Sequence, residues 1–410
     1  MALQNYFKNF NKSDSNSINF ELHNLDLSFV NSLRRIIISE VPTVGFRTEP
    51  YTKSTIKIIK NTSSLHNEFI SHRIGMIPVG FKDVDNYDPL EYKFILKIRN
   101  ETSEIINVTT KDIKVMKLDT ESDTYKKISE QERKSFFPPD PISKDYILIN
   151  RLKPDTSGEG DGEELHIEAT AVVSNGKENA RWSPVSEASF NNKIDDSKKD
   201  EFLQQIKDTF REQNNGNMTT NEEKALEHRF NIFEANRLYH VNEKNEPNIF
   251  EFRIESIGIL NPKTIFLKAI NILEKKINDF LINLTNKNDI VTIKDSKTYQ
   301  DTIDIIILNE DHTLGNIIQS HFNYYDVLNN ENFSENKDNI NYIGYYEPHP
   351  LDNKIVLRIG LKTEYEESKQ SQMTGEEYDR VVEIKKILNN CLSKLIRLCK
   401  TLHTAFETIN

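Results

Sequence analysis

Residues 31–43 read NSLRRIIISEVPT. They contain the last residues of an apolar stripe, which predicts a helix near the start of the chain. Asp26 or Ser28 can cap the start of this helix, and the helix should end before Pro42, because the residue preceding a proline disfavours a helical backbone. The apolar face recurs at helical spacing, through Leu27, Val30, Leu33 and Ile37. Such a face requires a second element to cover it.

A strand followed by a helix occurs twice in the chain, and each occurrence leads on to a long helix. The first module is predicted over residues 17–22, 27–37, 250–257 and from Pro262 onward, and the second over 302–308, 313–327, 342–346, 354–361 and 376–407. Both long helices carry a heptad seam, in which apolar residues alternate at spacings of three and four. Because a lone seam must be buried, we expect the two seams to pair within the chain.

The two modules also share a short stretch of similar sequence. Residues 29–33 (FVNSL) and 314–318 (LGNII) both place an asparagine, Asn31 or Asn316, early in a helix that follows a strand. This similarity indicates two divergent copies of one dimerising unit. The core between the modules is predicted to contain Leu33, Ile37, Phe266, Leu273, Ile277, Leu314, Ile317, Ile318, Leu388, Cys391, Leu395 and Leu402.

The expected fold class is α+β, with two paired modules and a mostly β insert domain that interrupts the first. The predicted boundaries are 1–50 and 245–285 for the first module, 51–244 for the insert, 286–300 for a polar connector and 301–410 for the second module. Within the insert, strands are predicted over 54–59, 92–98, 105–108 and 166–173, a short helix over 65–74, and a polar surface excursion over 191–220 with one helix near 202–210.

Composition limits the classes of function. The 410 residues suffice for two or three domains, and 53 Lys and Arg against 64 Asp and Glu give a net charge of -11. A protein that binds nucleic acid on its own usually carries the opposite balance, since contacts with phosphates supply most of its affinity. The apolar stretches are much shorter than the ~20 residues of a membrane span. We therefore expect a soluble, intracellular protein.

Motifs for catalysis or metal binding are incomplete. The triplet His66-Asn67-Glu68 matches part of a zinc-deaminase motif, but the cysteines that would complete it are missing, because Cys391 and Cys399 both lie in the terminal helix. The acidic, glycine-rich stretch 157–164 lacks calcium-loop spacing and is expected to be a solvated loop. Phosphate-binding and nucleophile-elbow motifs do not occur. We expect no catalytic residue, cofactor or metal, with Trp182 as a structural anchor.

The motifs taken together resemble a known family. Residues 31–43, residues 65–78 (LHNEFISHRIGMIP), residues 175–185 (NGKENARWSPV) and residues 255–258 (ESIG) are similar to the third-largest subunit of eukaryotic RNA polymerase II and its archaeal counterpart. Residues 310–316 (EDHTLGN) and 348–355 (PHPLDNKI) resemble the small eleventh subunit, its usual partner. The resemblance covers nearly the whole chain in that order.

The resemblance implies a fused, alpha-subunit-like heterodimer that acts as a non-catalytic platform for the two largest polymerase subunits. It also implies other small polymerase subunits as partners, and contact with DNA and RNA only through the complex. The implied interface with the large subunits contains Arg34, Arg35, Glu40, His66, Glu68, Phe69, His72 and Arg73. Asn31 and Asn316 would order the corners between strand and helix. The zinc loop of many relatives is not expected, because its cysteines are missing.

Source and cellular location follow from the same resemblance. Fusion of the two subunits is similar to what some large nucleocytoplasmic DNA viruses encode, and the chain is rich in Asn, Ile and Lys. Such a source would place the protein in the host cytoplasm and the virion, whereas a cellular source would place it in the nucleus. The alternative function is a free-standing transcription regulator with the same dimer fold, which salt-dependent DNA binding by the isolated chain would favour.

Overall fold

The structure is a computed structural model that describes residues 6–12, 15–119, 121–155, 162–214, 217–243, 245–286, 289–299, 301–324, 340–363, 366–367 and 379–409. The chain forms two compact units. The first unit comprises residues 1–35, 188–254 and 267–410, and the second comprises residues 36–187 and 255–266.

The first unit contains a four-stranded sheet with the order β1-β2-β13-β12. Its strands are β1 (Phe7–Lys12), β2 (Ser17–His23), β12 (Val185–Asn192) and β13 (Ile249–Ser256). Helix α1 (Leu27–Ser39) follows β2, and helix α6 (Pro262–Thr285) follows β13. The predicted helix after Asp26 and the long helix opened by Pro262 are both confirmed, because their apolar periodicity is unambiguous.

A second four-stranded sheet in the same unit repeats this arrangement, with the order β14-β15-β17-β16. Its strands are β14 (Val291–Asp295), β15 (Thr302–Leu308), β16 (Ile340–Tyr346) and β17 (Lys354–Leu361). Helix α7 (His312–Tyr324) follows β15, and helix α8 (Arg380–Glu407) follows β17. Replacing each element of the first module by its counterpart in the second reproduces the same strand order. The two modules are therefore copies of one topology.

Both first strands of these sheets, β1 and β14, differ from the sequence prediction. No strand was predicted over residues 7–12, and residues 286–300 were expected to be a polar connector. Residues 291–295 instead pair antiparallel with β15, with Val291 opposite Ile307. The reason is that both strands lie at a sheet edge, where polar residues are common and a two-residue alternation is weak. The second sheet thus begins inside the predicted connector.

The second unit is built around a five-stranded sheet with the order β4-β10-β5-β7-β8. These strands are β4 (Ile56–Asn61), β5 (Tyr92–Arg99), β7 (Lys114–Asp119), β8 (Thr124–Lys127) and β10 (Glu164–Ala169). Two-stranded pairs are formed by β3 (Thr43–Gly45) with β11 (Val172–Ser174) and by β6 (Ile106–Thr109) with β9 (Leu148–Leu152). The helices of this unit include α2 (Asn67–Gly75) and α3 (Glu130–Phe136).

The insert differs in extent from the predicted 51–244. Residues 188–244 belong to the first unit, because β12 is needed to complete its first sheet. Between β12 and β13 the chain forms two helices, α4 (Asp196–Gln213) and α5 (Thr220–Phe233). The first was predicted and the second was not, although Thr219 and Glu222 form a capping box at its start. Most of the predicted acidic loop at 157–164 lies outside the described residues.

Two aspartates cap the helices at the corners between strand and helix. Asp26 accepts hydrogen bonds from the backbone of Ser28 at 2.8 Å and of Phe29 at 3.3 Å, at the start of α1. Asp311 accepts one from the backbone of Thr313 at 2.8 Å, at the start of α7. Asn31 and Asn316 lie inside these helices. Because the free backbone N–H groups of a helix lie in its first turn, capping comes from the aspartates, as predicted for Asp26. The ordering role of the asparagines stays a prediction.

His321 on α7 is a buried titratable group, 4% exposed. Burial lowers its pKa to about 3, whereas an unfolded chain has a histidine pKa of about 6.5. Between these values the unfolded state binds one more proton, so this contribution to stability is present above pH ~6.5 and is lost as the pH falls towards ~3. We expect a slope of about 1.4 kcal/mol per pH unit from this residue.

Urea unfolding between neutral pH and pH ~5 would measure this slope. His321→Leu is expected to flatten the pH dependence, whereas His228→Leu on the exposed face of α5 should leave it unchanged. Equal slopes in the wild-type protein and His321→Leu would contradict the assignment.

Candidate protein-assembly interface

Helix α1 contacts the start of helix α7 within the first unit, and this contact joins the two modules. Arg35 Nε donates to Thr313 Oγ1 at 2.9 Å, and an Arg35 Nη2 atom lies 3.8 Å from Asp311 Oδ2. Ser32 Oγ donates to the carbonyl of Ser28 at 2.8 Å and lies 3.4 Å from the carbonyl of Thr313. The guanidinium of Arg35 therefore binds the same corner that Asp311 caps.

Helix α6 makes two ion pairs with the second module. Lys276 Nζ lies 3.0 Å from Glu310 Oε2, and both side chains are largely buried, at 12% and 19% exposed. Lys400 on α8 lies 3.7 Å from Glu274, with the lysine side chain 66% exposed. The first pair is shielded from solvent and holds the acidic turn before α7, while the second contributes little because it is solvated.

An aromatic cluster ties the end of α8 to the first sheet. The ring of Phe406 lies 4.9 Å from Phe7, 5.2 Å from Phe20 and 6.0 Å from Phe10, measured between ring centroids. Phe20 in turn stacks on Phe252 at 5.6 Å. Phe406 is fully buried. The last helix of the second module therefore completes the core of the first.

The residues predicted for the core between the modules are all buried, each at 3% exposure or less. Leu273 and Ile277 lie on α6, and Leu388 and Leu395 lie on α8. Burial of both cysteines raises their thiol pKa values far above the usual range. A thiol that stays protonated is not a nucleophile, so Cys391 and Cys399 act as small apolar residues.

The predicted interface residues on α1 differ in what they contact. Arg34 is half-buried, and its Nε donates to Asn31 Oδ1 at 3.0 Å. Burial and the neighbouring Arg35 lower the pKa of Arg34. Arg35 instead binds the second module, as described above. In the second unit, Glu40 is 10% exposed and pairs with Lys177 at 3.0 Å.

Helix α2 presents an exposed face in the second unit. His66, Glu68, Phe69 and His72 are exposed, and Phe69 is 62% exposed. The helix is held from beneath by Ile70 and Ile74, both buried. Sequence reasoning missed Met76, which is 55% exposed one residue beyond the helix. The bulky apolar side chain directly after Gly75 could have indicated this exposed position in the sequence.

Arg73 differs from the other predicted residues on α2. Its Nε and Nη2 atoms donate to the carbonyls of Ile149 and Leu148 on β9, at 2.8 and 2.7 Å. Its guanidinium therefore anchors the helix on this strand. Trp182 is 2% exposed, and its carbonyl accepts from Thr43 Oγ1 at 2.8 Å.

The structure was searched for metal-binding and membrane-spanning features. Among the residues that it describes, no group of three or more His, Cys, Asp or Glu side chains is placed to hold a metal ion. Within the same residues, no helix combines the length and apolar character that crossing a membrane requires.

Comparison with known protein families gives two matches in this chain. The family described as the RNA polymerase Rpb3/Rpb11 dimerisation domain matches residues 19–277, and it matches a second time over residues 302–405. The chain belongs to this family. Each match covers one copy of the sheet topology except its first strand, β1 or β14, and the first match also spans the second unit.

Individual relatives include named polymerase subunits. The chain is 29% identical to DNA-directed RNA polymerases I and III subunit rpac1 of Dictyostelium discoideum, over 67% of this chain and 81% of that protein. It is 26% identical to DNA-directed RNA polymerase II subunit rpb3 of the same organism, over 65% of this chain and 90% of that protein. The conjugation stage-specific protein of Tetrahymena thermophila is 31% identical, over 42% of this chain and 54% of its own length.

These relatives define the family more broadly than the sequence motifs did. The motifs were compared with the subunits of RNA polymerase II, whereas the relatives also include a subunit shared by polymerases I and III. The chain is therefore homologous to alpha-like subunits of DNA-directed RNA polymerases, without a preference for RNA polymerase II.

Proposed function

We propose that this protein is the assembly platform of a multisubunit DNA-directed RNA polymerase, on which the two largest subunits associate. The observation that carries the proposal is the presence of two copies of the dimerisation topology in one compact unit. A fused chain keeps its two halves at an effective concentration of roughly millimolar, so their pairing does not depend on protein concentration. The named polymerase relatives support the same role.

Two surfaces are proposed to meet the large subunits. One contains Arg34, whose Nε donates to Asn31 Oδ1 on its own helix. The other is the exposed face of α2, with His66, Phe69 and His72. Arginine suits such a role, because its planar donors pair with carboxylates and backbone carbonyls. Arg35, Glu40 and Arg73 are assigned a positioning role, since each binds a group of this chain.

Arg34→Glu tests the first surface. Reversal of this charge should reduce co-purification of the two largest subunits by about tenfold or more, because a like charge or an unpaired group would then face the partner. The melting temperature of the isolated chain should stay within about 2 °C of the wild-type value. Pull-down from the native source followed by quantitative mass spectrometry measures the effect.

Arg35→Glu is the matched control for this experiment. It places a carboxylate beside Asp311 and removes the hydrogen bond to Thr313, so it should lower the stability of the isolated chain by about 1–2 kcal/mol. Undiminished co-purification of both large subunits by Arg34→Glu would contradict the interface assignment.

The proposal extends to partners and source. We propose that other small polymerase subunits bind the same chain and that DNA and RNA reach it only through the complex, in keeping with the net charge of -11. The fused arrangement and the Asn, Ile and Lys content support a large nucleocytoplasmic DNA virus as the source. Detection of the chain in purified virions would support this origin, and its confinement to nuclei of uninfected cells would contradict it.

A further inference from the structure

A polar cavity of about 490 Å³ lies within the second unit, close to the start of strand β12. This volume falls in the range of protein sites for small ligands and single side chains. Three cationic and two anionic side chains contribute to its wall, together with the chain's only tryptophan: Arg47, Lys53, Arg181, Glu49, Glu178 and Trp182.

One of the cations is already neutralised. Arg47 donates from both Nε and Nη2 to the two carboxylate oxygens of Glu178, each at 2.7 Å. This bidentate pair raises the pKa of Arg47 and lowers that of Glu178. Such a pair is geometrically saturated and offers little to a ligand. The remaining charges on the wall are those of Lys53, Arg181 and Glu49, which sum to one positive charge.

Arg181 is the buried member of this group. Its side chain is only 6% exposed, and its nearest carboxylate, that of Glu49, lies 3.9 Å away on a side chain that is 69% exposed. Its Nη1 atom donates to Thr48 Oγ1. Its Nε atom is buried and finds no acceptor among the described residues. A buried cation with an unused donor favours an added anionic acceptor, because desolvation without a partner is costly.

The surroundings hold this guanidinium in place. A Cβ atom added at Gly75 would lie 2.5 Å from Arg181 Nη1 and 2.6 Å from Thr48 Cγ2, so the absence of a side chain at Gly75 makes room for both. Trp182 fixes the neighbouring backbone, since its ring packs on Gly45, where an added Cβ would lie 2.9 Å from Cζ3. The donors of Arg181 are therefore preorganised before any ligand arrives.

We propose that this cavity receives the carboxylate of a glutamate or aspartate side chain from a partner polypeptide. A single carboxylate matches the one net positive charge, whereas a phosphate dianion would exceed it and would be repelled by Glu49. Tyr51 lies between the wall residues Pro50 and Lys53 and is 91% exposed, which offers an aromatic contact to the flanking residues of a polypeptide. This inference requires only that the chain binds another protein.

Fluorescence of Trp182 can test the proposal on the full-length chain, because no other tryptophan contributes to the signal. The probes are acetyl-Gly-Glu-Gly-amide, its Gln counterpart and inorganic phosphate, each titrated at constant ionic strength. We expect a saturable change in fluorescence with the Glu peptide. Neither the Gln peptide nor phosphate should produce such a change. Absence of saturation with the Glu peptide, or equal binding of the Gln peptide, would overturn the proposal. Tighter binding of phosphate would overturn the choice of a protein carboxylate.

Variants separate binding from folding. Arg181→Met should weaken binding of the Glu peptide by about tenfold or more, while Arg229→Met on the exposed face of α5 should not change it. Because Arg181→Met could reduce stability, Glu49→Gln provides the opposite test. Removal of this competing carboxylate should tighten binding by about threefold, an outcome that unfolding cannot produce. Unchanged or weaker binding by Glu49→Gln would contradict the role assigned to Arg181.

Discussion

Leu273→Asp or Leu395→Asp is expected to unfold the first unit. Both side chains are fully buried, Leu273 on α6 and Leu395 on α8. An aspartate at either position loses the apolar contacts of leucine and places an unpaired carboxyl group away from water. The combined cost exceeds about 4 kcal/mol, which is comparable with the whole stability of many domains, about 5–15 kcal/mol. Thermal unfolding followed by circular dichroism would measure the loss.

The same two helices provide matched controls. Ile282 on α6 is 46% exposed and Val382 on α8 is 60% exposed. Ile282→Asp and Val382→Asp introduce the same charge on the same helices without burying it, so each should change stability by less than about 1 kcal/mol. Wild-type melting temperatures for both Leu273→Asp and Leu395→Asp would contradict the pairing of the modules in one core.

Phe406→Ala is expected to be the most damaging truncation near the end of the chain. The ring is fully buried between Phe7, Phe10 and Phe20, so its removal leaves a cavity between α8 and the first sheet. Comparable Phe→Ala changes cost about 3–5 kcal/mol. Urea unfolding should show this loss.

A local effect should accompany the loss of stability. Hydrogen exchange should accelerate in β1 (Phe7–Lys12), because this edge strand carries two of the rings that contact Phe406. Phe233→Ala on α5 is the control, since that ring is 61% exposed. Exchange in β1 that is identical in Phe406→Ala and the wild-type protein would show that the second module does not support the first sheet.

The strongly periodic elements could be predicted from the sequence. The heptad positions of α6 and α8, such as Leu273 and Leu395, were assigned to a core because their spacing leaves them on one helix face. Helix α1 was predicted for the same reason. The family also followed from short motifs. Such spacings and motifs can be recognised in a short stretch of sequence, even when the element that packs against it is unknown.

Other features depend on tertiary contacts that no local pattern encodes. Residues 291–295 were predicted as part of a connector. They form strand β14 by pairing with β15, and a local sequence pattern does not reveal such a pairing. Arg35 and Arg73 were predicted to contact the large subunits, but each guanidinium binds a group of its own unit. The cavity beside Arg181 was not predicted, since it combines Arg47 and Lys53 with Arg181, which is distant from them in the sequence.

Affinity purification of the tagged, full-length protein from its native source, followed by mass spectrometry, is the decisive test of the proposed platform role. We expect the largest and second-largest subunits of a DNA-directed RNA polymerase to co-purify in equal molar amounts with this chain. Leu395→Asp should abolish their recovery, while Val382→Asp should preserve it. Recovery of the chain without either large subunit, together with salt-dependent binding of DNA by the isolated protein, would contradict the platform role.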